Sequence, residues 1–143
     1  MSAAVRRVYK PVPLTAVTIA DSFWSPRQRA NRARTIPIEY EQCRITGRID
    51  ALRLQWQPGQ PKPHYFWDSD IAKWIEAASY SMTTHPESAL DALVDEVIGM
   101  LAASQQPDGY LNTHYSSVEP ENRWTNLRDN HELYCAGHLI EAG

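Results

Sequence analysis

A chain of 143 residues with 43% hydrophobic and 22% charged positions can build one globular domain with its own core. Its net charge of −3 lacks the basic excess of a polyanion binder, so nucleic acid is excluded as a partner. No apolar run reaches the ~20 residues that cross a bilayer, and no signal-like stretch lies between Met1 and Leu14, so a soluble, cytoplasmic protein without a membrane partner is expected.

Residues 1–25 read as an extended or irregular segment. Val8, Val12, Leu14, Val17 and Ile19 alternate loosely around Pro11 and Pro13. Ser25 suits a helix N-cap and Pro26 a first helical position, so a helix is predicted over 27–36, interrupted at Pro37. Arg27, Arg29, Arg32 and Arg34 invite a phosphate-patch reading, but the acidic total charge favours a solvated helix face. Residues 38–46 continue as helix and stop at Gly47. Residues 48–65 are irregular, centred on the turn chemistry of Pro58-Gly59-Gln60-Pro61-Lys62-Pro63.

The strongest helical pattern covers 68–83. Ile71, Trp74, Ile75, Ala78 and Met82 form one apolar stripe, with Asp68 or Ser69 as cap and Asp70 in the positive first turn. His85-Pro86 ends this helix and opens the next. Its stripe of Leu90, Leu93, Val94, Val97, Ile98 and Leu101 runs to Ser104, and the short connection predicts an antiparallel hairpin. Residues 105–110 form a turn with Gly109 at positive φ. Residues 111–125 are loop, and a last helix starts with Asp129 or Asn130 as its cap. No segment pairs convincingly as β-strand. The fold class is all-α, built from helix hairpins with long aromatic-bearing loops. Cys43 and Cys135 are too few for a disulfide scaffold and are expected to be reduced, buried thiols.

On the last helix His131, Cys135 and His138 share one face, with Leu133, Gly137 and Ile140 expected on the core-facing side. Three readings fit. The face could bind zinc through imidazole and thiolate. One histidine could be packed and the other bonded at the helix start. The face could also line a ligand pocket, with His131 meeting substrate hydroxyls. His131-Glu132 opens like the zinc-protease motif, but Cys135 stands where its second histidine belongs. A second constellation is Tyr65-Phe66-Trp67-Asp68-Ser69-Asp70. Aromatic rings stack on the C–H face of a sugar and carboxylates take its hydroxyls, although N-capping and first-turn charge explain the same aspartates. Asp68, Asp70, Asp108, Glu132 and Glu141 are candidates for paired carboxylates, with no facing pair evident from spacing. Trp24, Trp56, Trp67 and Trp124 lie outside helix interiors, where rings often rim binding sites.

The segments Asp21-Ser22-Phe23-Trp24, Phe66-Trp67-Asp68-Ser69-Asp70-Ile71-Ala72-Lys73-Trp74, Gln106-Pro107-Asp108-Gly109-Tyr110-Leu111 and residues 123–142 occur in an order that resembles the β-L-arabinofuranosidase family, glycoside hydrolase family 127. The resemblance runs from about residue 12 to the end and is to the family's N-terminal part. It implies an (α/α)6 toroid followed by β-sandwich modules, hydrolysing terminal β-L-arabinofuranosides with retention. It implies a cysteine nucleophile that also ligates zinc beside two further cysteines and a glutamate, and a separate glutamate acid/base, all downstream of the matched region. Residues 26–143 are therefore expected to be the N-terminal portion of a truncated toroid, inactive alone, with no catalytic residue, no metal ligand and no cofactor of its own; zinc belongs to the full-length family. His131 matches a histidine that contacts the arabinose, and Asp68, Asp70, Trp67 and Trp124 are the further candidate substrate-binding residues. The expected partner is a carbohydrate substrate, with self-association through apolar faces that an open toroid exposes. The alternatives are a helical interaction module, for which no repeat of about 34 to 47 residues is found, and a small zinc-binding protein using His131, Cys135 and His138.

Overall fold

A computed structural model describes residues 10–143, so Val8 and the rest of the first nine positions of the expected extended segment lie outside the described residues. One 3-10 turn, Leu14–Ala16, precedes the helices. Helix α1 (Trp24–Ala30) passes through a π turn (Asn31–Thr35) into α2 (Ile36–Ile45). Helices α3 (Arg48–Ala51), α4 (Trp67–Thr84) and α5 (Ser88–Ser104) follow. Then come α6 (Thr113–Ser117), a 3-10 turn (Pro120–Asn122) and α7 (Glu132–Ala142). No strand occurs among the described residues.

Local chemistry sets the helix ends, and it departs from expectation in several places. Helix α1 starts at Trp24 because Asp21 Oδ1 accepts the N–H groups of both Phe23 and Trp24. Ser25, the expected cap, instead donates its hydroxyl to the Ile19 carbonyl at 3.0 Å. Pro37 does not interrupt the helix. It sits in the first turn of α2 directly after the π turn, where its fixed φ suits the helix. Arg27, Arg29 and Arg34 are exposed, on a solvated face. Gly47 ends α2 with φ +85° and Gly109 turns the chain after α5 with φ +87°, conformations that favour glycine. Short helices occupy two stretches expected to be loop, α3 and α6. The second forms because the Asn112 side chain accepts the Tyr115 N–H at 3.1 Å.

Helix α4 is the axis of the core. Its Ile71, Trp74, Ile75 and Ala78 pack against Ile36 and Cys43 of α2 on one side and Leu90, Val94, Val97 and Leu101 of α5 on the other. The stripes read from the sequence face the core, with Met82 and Leu93 half-buried, except that Ile98 faces solvent. Trp74 Nε1 donates to the Ile36 carbonyl at 3.0 Å, which pins α4 to the start of α2. Helix α7 packs along α4 with its face reversed from expectation. Leu133 and Ile140 are 57% and 80% exposed, whereas Glu132 and Cys135 are buried. Both faces of α7 carry apolar residues, so period alone could not choose between them; the hydrogen bonds of Glu132 and Cys135 do.

Trp74→Phe keeps an aromatic ring and removes the N–H donor. It is expected to cost about 1–3 kcal/mol by removing this buried hydrogen bond and part of the ring's packing, read as a lower urea midpoint at unchanged slope.

Candidate functional site

The segment 63–66 enters α4 without regular structure, and its polar groups are taken up by three consecutive residues at the start of α6. His114 Nδ1–H donates to the Pro63 carbonyl at 2.6 Å. Asn112 Nδ2 donates to the Tyr65 carbonyl at 3.2 Å. Thr113 donates its N–H and its hydroxyl to the two oxygens of Asp68, each at 2.7 Å. The Cys135 thiol adds a second donor to the Tyr65 carbonyl at 3.4 Å. Asp68 is 1% exposed and does not cap its own helix; Phe66 holds the cap position without a side-chain bond. Burial pushes the Asp68 carboxyl above its ordinary range, against the Thr113 hydrogen bonds that pull it down.

On this platform stand the rings. His131 lies with its centroid 5.5 Å from Tyr65, 6.0 Å from Phe66 and 5.5 Å from Tyr134, the last pair edge-on. It is exposed and takes the cap position of α7 in the left-handed region, φ +57°, where Asp129 or Asn130 was expected. Its Nδ1–H donates to the Asp129 carbonyl at 2.8 Å, which in the neutral ring leaves Nε2 as an acceptor. Trp124 is also left-handed, φ +60°. The buried Glu132 carboxylate accepts the Trp124 N–H on both oxygens, at 3.1 and 2.9 Å, and the Tyr110 hydroxyl as well. Burial and that bond to Glu132 push the Tyr110 phenol well above its usual range, so it stays protonated and donates.

Asp70 points away from Asp68. It accepts from Arg48 Nε at 2.8 Å and lies 3.8 Å from the Lys73 ammonium, which donates to the Tyr134 hydroxyl at 2.6 Å. The Arg48 guanidinium stands 5.1 Å from the Trp67 ring. A groove of about 490 Å³ between α2 and α4 is lined by Gln42, Thr46, Arg48, Asp70 and Lys73 among others. Of the five candidate residues only Asp70 lines it. The structure thus gathers His131 with Tyr65, Phe66 and Tyr134, ties Trp124 to the residue after His131, sets Asp68 behind them and leaves Trp67 and Asp70 beside Arg48. Asn112, Thr113 and Glu132 as a buried anchor were missed from sequence. The asparagine before a short polar run was the one available signal.

The residues present do not fit a zinc centre. Among the described residues no three His, Cys, Asp or Glu side chains converge on one point. On α7 the Cys135 thiol is buried against a backbone carbonyl while His131 is exposed and the His138 ring packs 4.6 Å from Tyr134. Burial pushes the Cys135 thiol up to about 12 and raises that of Cys43.

Residues 16–143 match the family described as β-L-arabinofuranosidase, GH127 catalytic domain. The chain belongs to this family. Over 54% of its length it is 43% identical to the non-reducing end β-L-arabinofuranosidase of Bifidobacterium longum subsp. longum, of which it spans 12%. The crystal structure of a GH127 β-L-arabinofuranosidase from Geobacillus stearothermophilus T6 matches 87% of the chain with a TM-score of 0.81 and 43% identity, over 21% of that protein. A solved GH127 β-arabinofuranosidase matches 92% with a TM-score of 0.84 and 36% identity, over 23% of that protein. These likenesses bear out the family resemblance and the all-helical fold as part of an (α/α) toroid with an irregular N-terminus. No helix among the described residues is long and apolar enough to cross a membrane.

The folded pKa of Asp68 lies above its unfolded value, so the folded chain binds that proton more tightly. Asp68 therefore lends stability that is full below the ordinary aspartate range and is lost as pH rises through the folded pKa. The stability of Asp68→Asn relative to wild type is expected to improve with rising pH, measured by urea unfolding across a pH series. A difference that is flat in pH opposes this.

Proposed function

We propose that this chain supplies one wall of the sugar pocket in a glycoside hydrolase acting on terminal β-L-arabinofuranosides or related glycosides. The observation that carries the reading is the state of His131. In a chain of this family its Nδ1–H is committed to the Asp129 carbonyl, and its free Nε2 stands among Tyr65, Phe66 and Tyr134. A furanose ring needs hydroxyl partners and apolar contact at its C–H face; an imidazole acceptor beside aromatic rings offers both. Trp67, Trp124 and Asp70 are the further residues proposed to reach the sugar. Asp68, with both oxygens engaged by Thr113, serves by holding the Tyr65–Asp68 backbone in place.

The reaction's covalent machinery is assigned to the rest of the enzyme. The family resemblance implies a thiolate nucleophile acting with retention, yet burial keeps both Cys43 and Cys135 protonated near neutral pH. No ligand set for zinc assembles among the described residues, and the metal too is assigned to the remainder. The isolated chain should therefore release no sugar from β-L-arabinofuranosides. Grafted in place of the matching segment of the Geobacillus stearothermophilus enzyme, residues 16–143 should restore turnover. In that graft His131→Ala is expected to lower kcat/KM by about 10- to 100-fold, the effect of losing a well-placed polar contact. Turnover by the isolated chain would refute the assignment of the nucleophile, and an unaffected His131→Ala graft would refute the sugar contact.

Leu127, Leu133, Tyr134 and Ile140 leave an apolar surface on and beside α7. A second copy of the chain is its proposed occupant in isolation. Light scattering should then show concentration-dependent association that Ile140→Lys reduces; a monodisperse monomer at all concentrations counts against it.

A further inference from the structure

We propose that Glu132 is a positioning residue that locks Trp124 and His131 into one sugar-facing edge, acting through the Trp124 amide and not on the sugar. The proposal deepens the reading of His131 as a sugar contact and rests on it.

Glu132 is 2% exposed, so it does not present its carboxylate to a ligand. Instead both oxygens receive the Trp124 N–H and one also receives the Tyr110 hydroxyl. No cation pairs with it among the salt bridges of the described residues; hydrogen-bond donors and the positive N-terminal end of α7 satisfy it. Its bond to Trp124 spans the neck of the loop 124–131. The two ends of that loop are Trp124 and His131, and both are left-handed, an unfavourable conformation for a residue with a Cβ. Such conformations persist where the surroundings over-determine them, and they gather at functional sites. The interior of the loop is braced independently. Asn126 Oδ1 accepts the Asp129 N–H at 3.2 Å and its carbonyl accepts the Asn130 N–H at 3.1 Å. The loop is a rigid bracket, and Glu132 closes it. Trp124 also packs edge-on against Tyr110 at 5.1 Å, so the carboxylate fixes ring and backbone from one point.

A carboxylate that merely stabilised the chain would spread its effect over the whole fold. A positioning carboxylate acts first on the bracket. Amide hydrogen exchange in the 143-residue chain separates the two. In Glu132→Ala the Trp124 amide should exchange at least about tenfold faster while Ile75 in α4 keeps its protection, the signature of local opening. Glu132→Gln retains an acceptor oxygen and should hold the Trp124 amide within about threefold of wild type. A Trp124 amide still protected in Glu132→Ala, or one lost together with Ile75, overturns the proposal.

Kinetics of the grafted enzyme supply the second readout. Glu132→Ala should lower kcat/KM by about tenfold and Glu132→Gln should recover it to within about threefold. Val97→Ala, a destabilising change in α5 away from the groove that Asp70 lines, should leave kcat/KM unaltered. Equal losses in Glu132→Ala and Val97→Ala overturn the proposal. If His131→Ala alone is without effect, the sugar-contact reading fails, and the Trp124 exchange result still decides whether the lock exists.

Discussion

The stretch from Pro63 to Phe66 has no regular structure of its own, yet it must deliver a histidine and two aromatic rings to the mouth of α4. Buried main-chain carbonyls without partners are costly, so such a stretch needs donors from elsewhere. Asn112 and His114 provide them at the Tyr65 and Pro63 carbonyls, and Thr113 between them holds the Asp68 carboxylate. Three side chains at successive positions of one short helix therefore fix the course of a segment about fifty residues earlier in the chain. Without that clamp Tyr65 and Phe66 would have no fixed relation to His131, and the α4–α7 contact would lose the Tyr65 carbonyl that anchors the Cys135 thiol.

The site joins two kinds of rigidity. On one side, the Pro63–Asp68 run is held by hydrogen bonds to its backbone. On the other, the loop from Trp124 to His131 holds two strained residues at its ends and a buried carboxylate at its neck. Neither side depends on long flexible side chains. The furanose proposed as its ligand offers little apolar area and several hydroxyls, and binding such a ring rewards groups that are already in place. An imidazole with one nitrogen committed to a carbonyl is such a group, because its neutral form presents a defined acceptor.

Much of the framework was legible from residue pattern. Apart from Ile98, the stripes of α4 and α5 lie at helical spacing and face the core, Gly47 ends α2 as its position suggested, and Gly109 took the expected left-handed conformation. The family could be read because short motifs recur in a set order. The errors cluster where a tertiary hydrogen bond overrides a local rule. Asp68 looks like a helix cap and is drawn instead to Thr113. Ser25 also looks like a cap, but there the competitor is local: Asp21 Oδ1 accepts the Phe23 and Trp24 N–H groups. Helix α7 shows apolar residues on both faces, and the buried face was chosen by Glu132, a polar residue whose donors lie 8 and 22 positions upstream. A polar residue that decides which way a helix turns leaves no trace in hydrophobic period. Asp68 and Asp70 illustrate the same limit: two positions apart on one helix, one faces inward to Thr113 and the other outward to Arg48.

The burial of one sulfur gives the molecule an internal clock. Cys135 is sealed between α7 and the entry to α4, whereas Cys43 lines the groove between α2 and α4. Burial keeps the Cys135 thiol protonated and shielded, so an alkylating reagent reaches it only during excursions that part those elements. The labelling rate at Cys135 counts the openings of that interface, with Cys43 at the groove as the reference sulfur that needs no such opening.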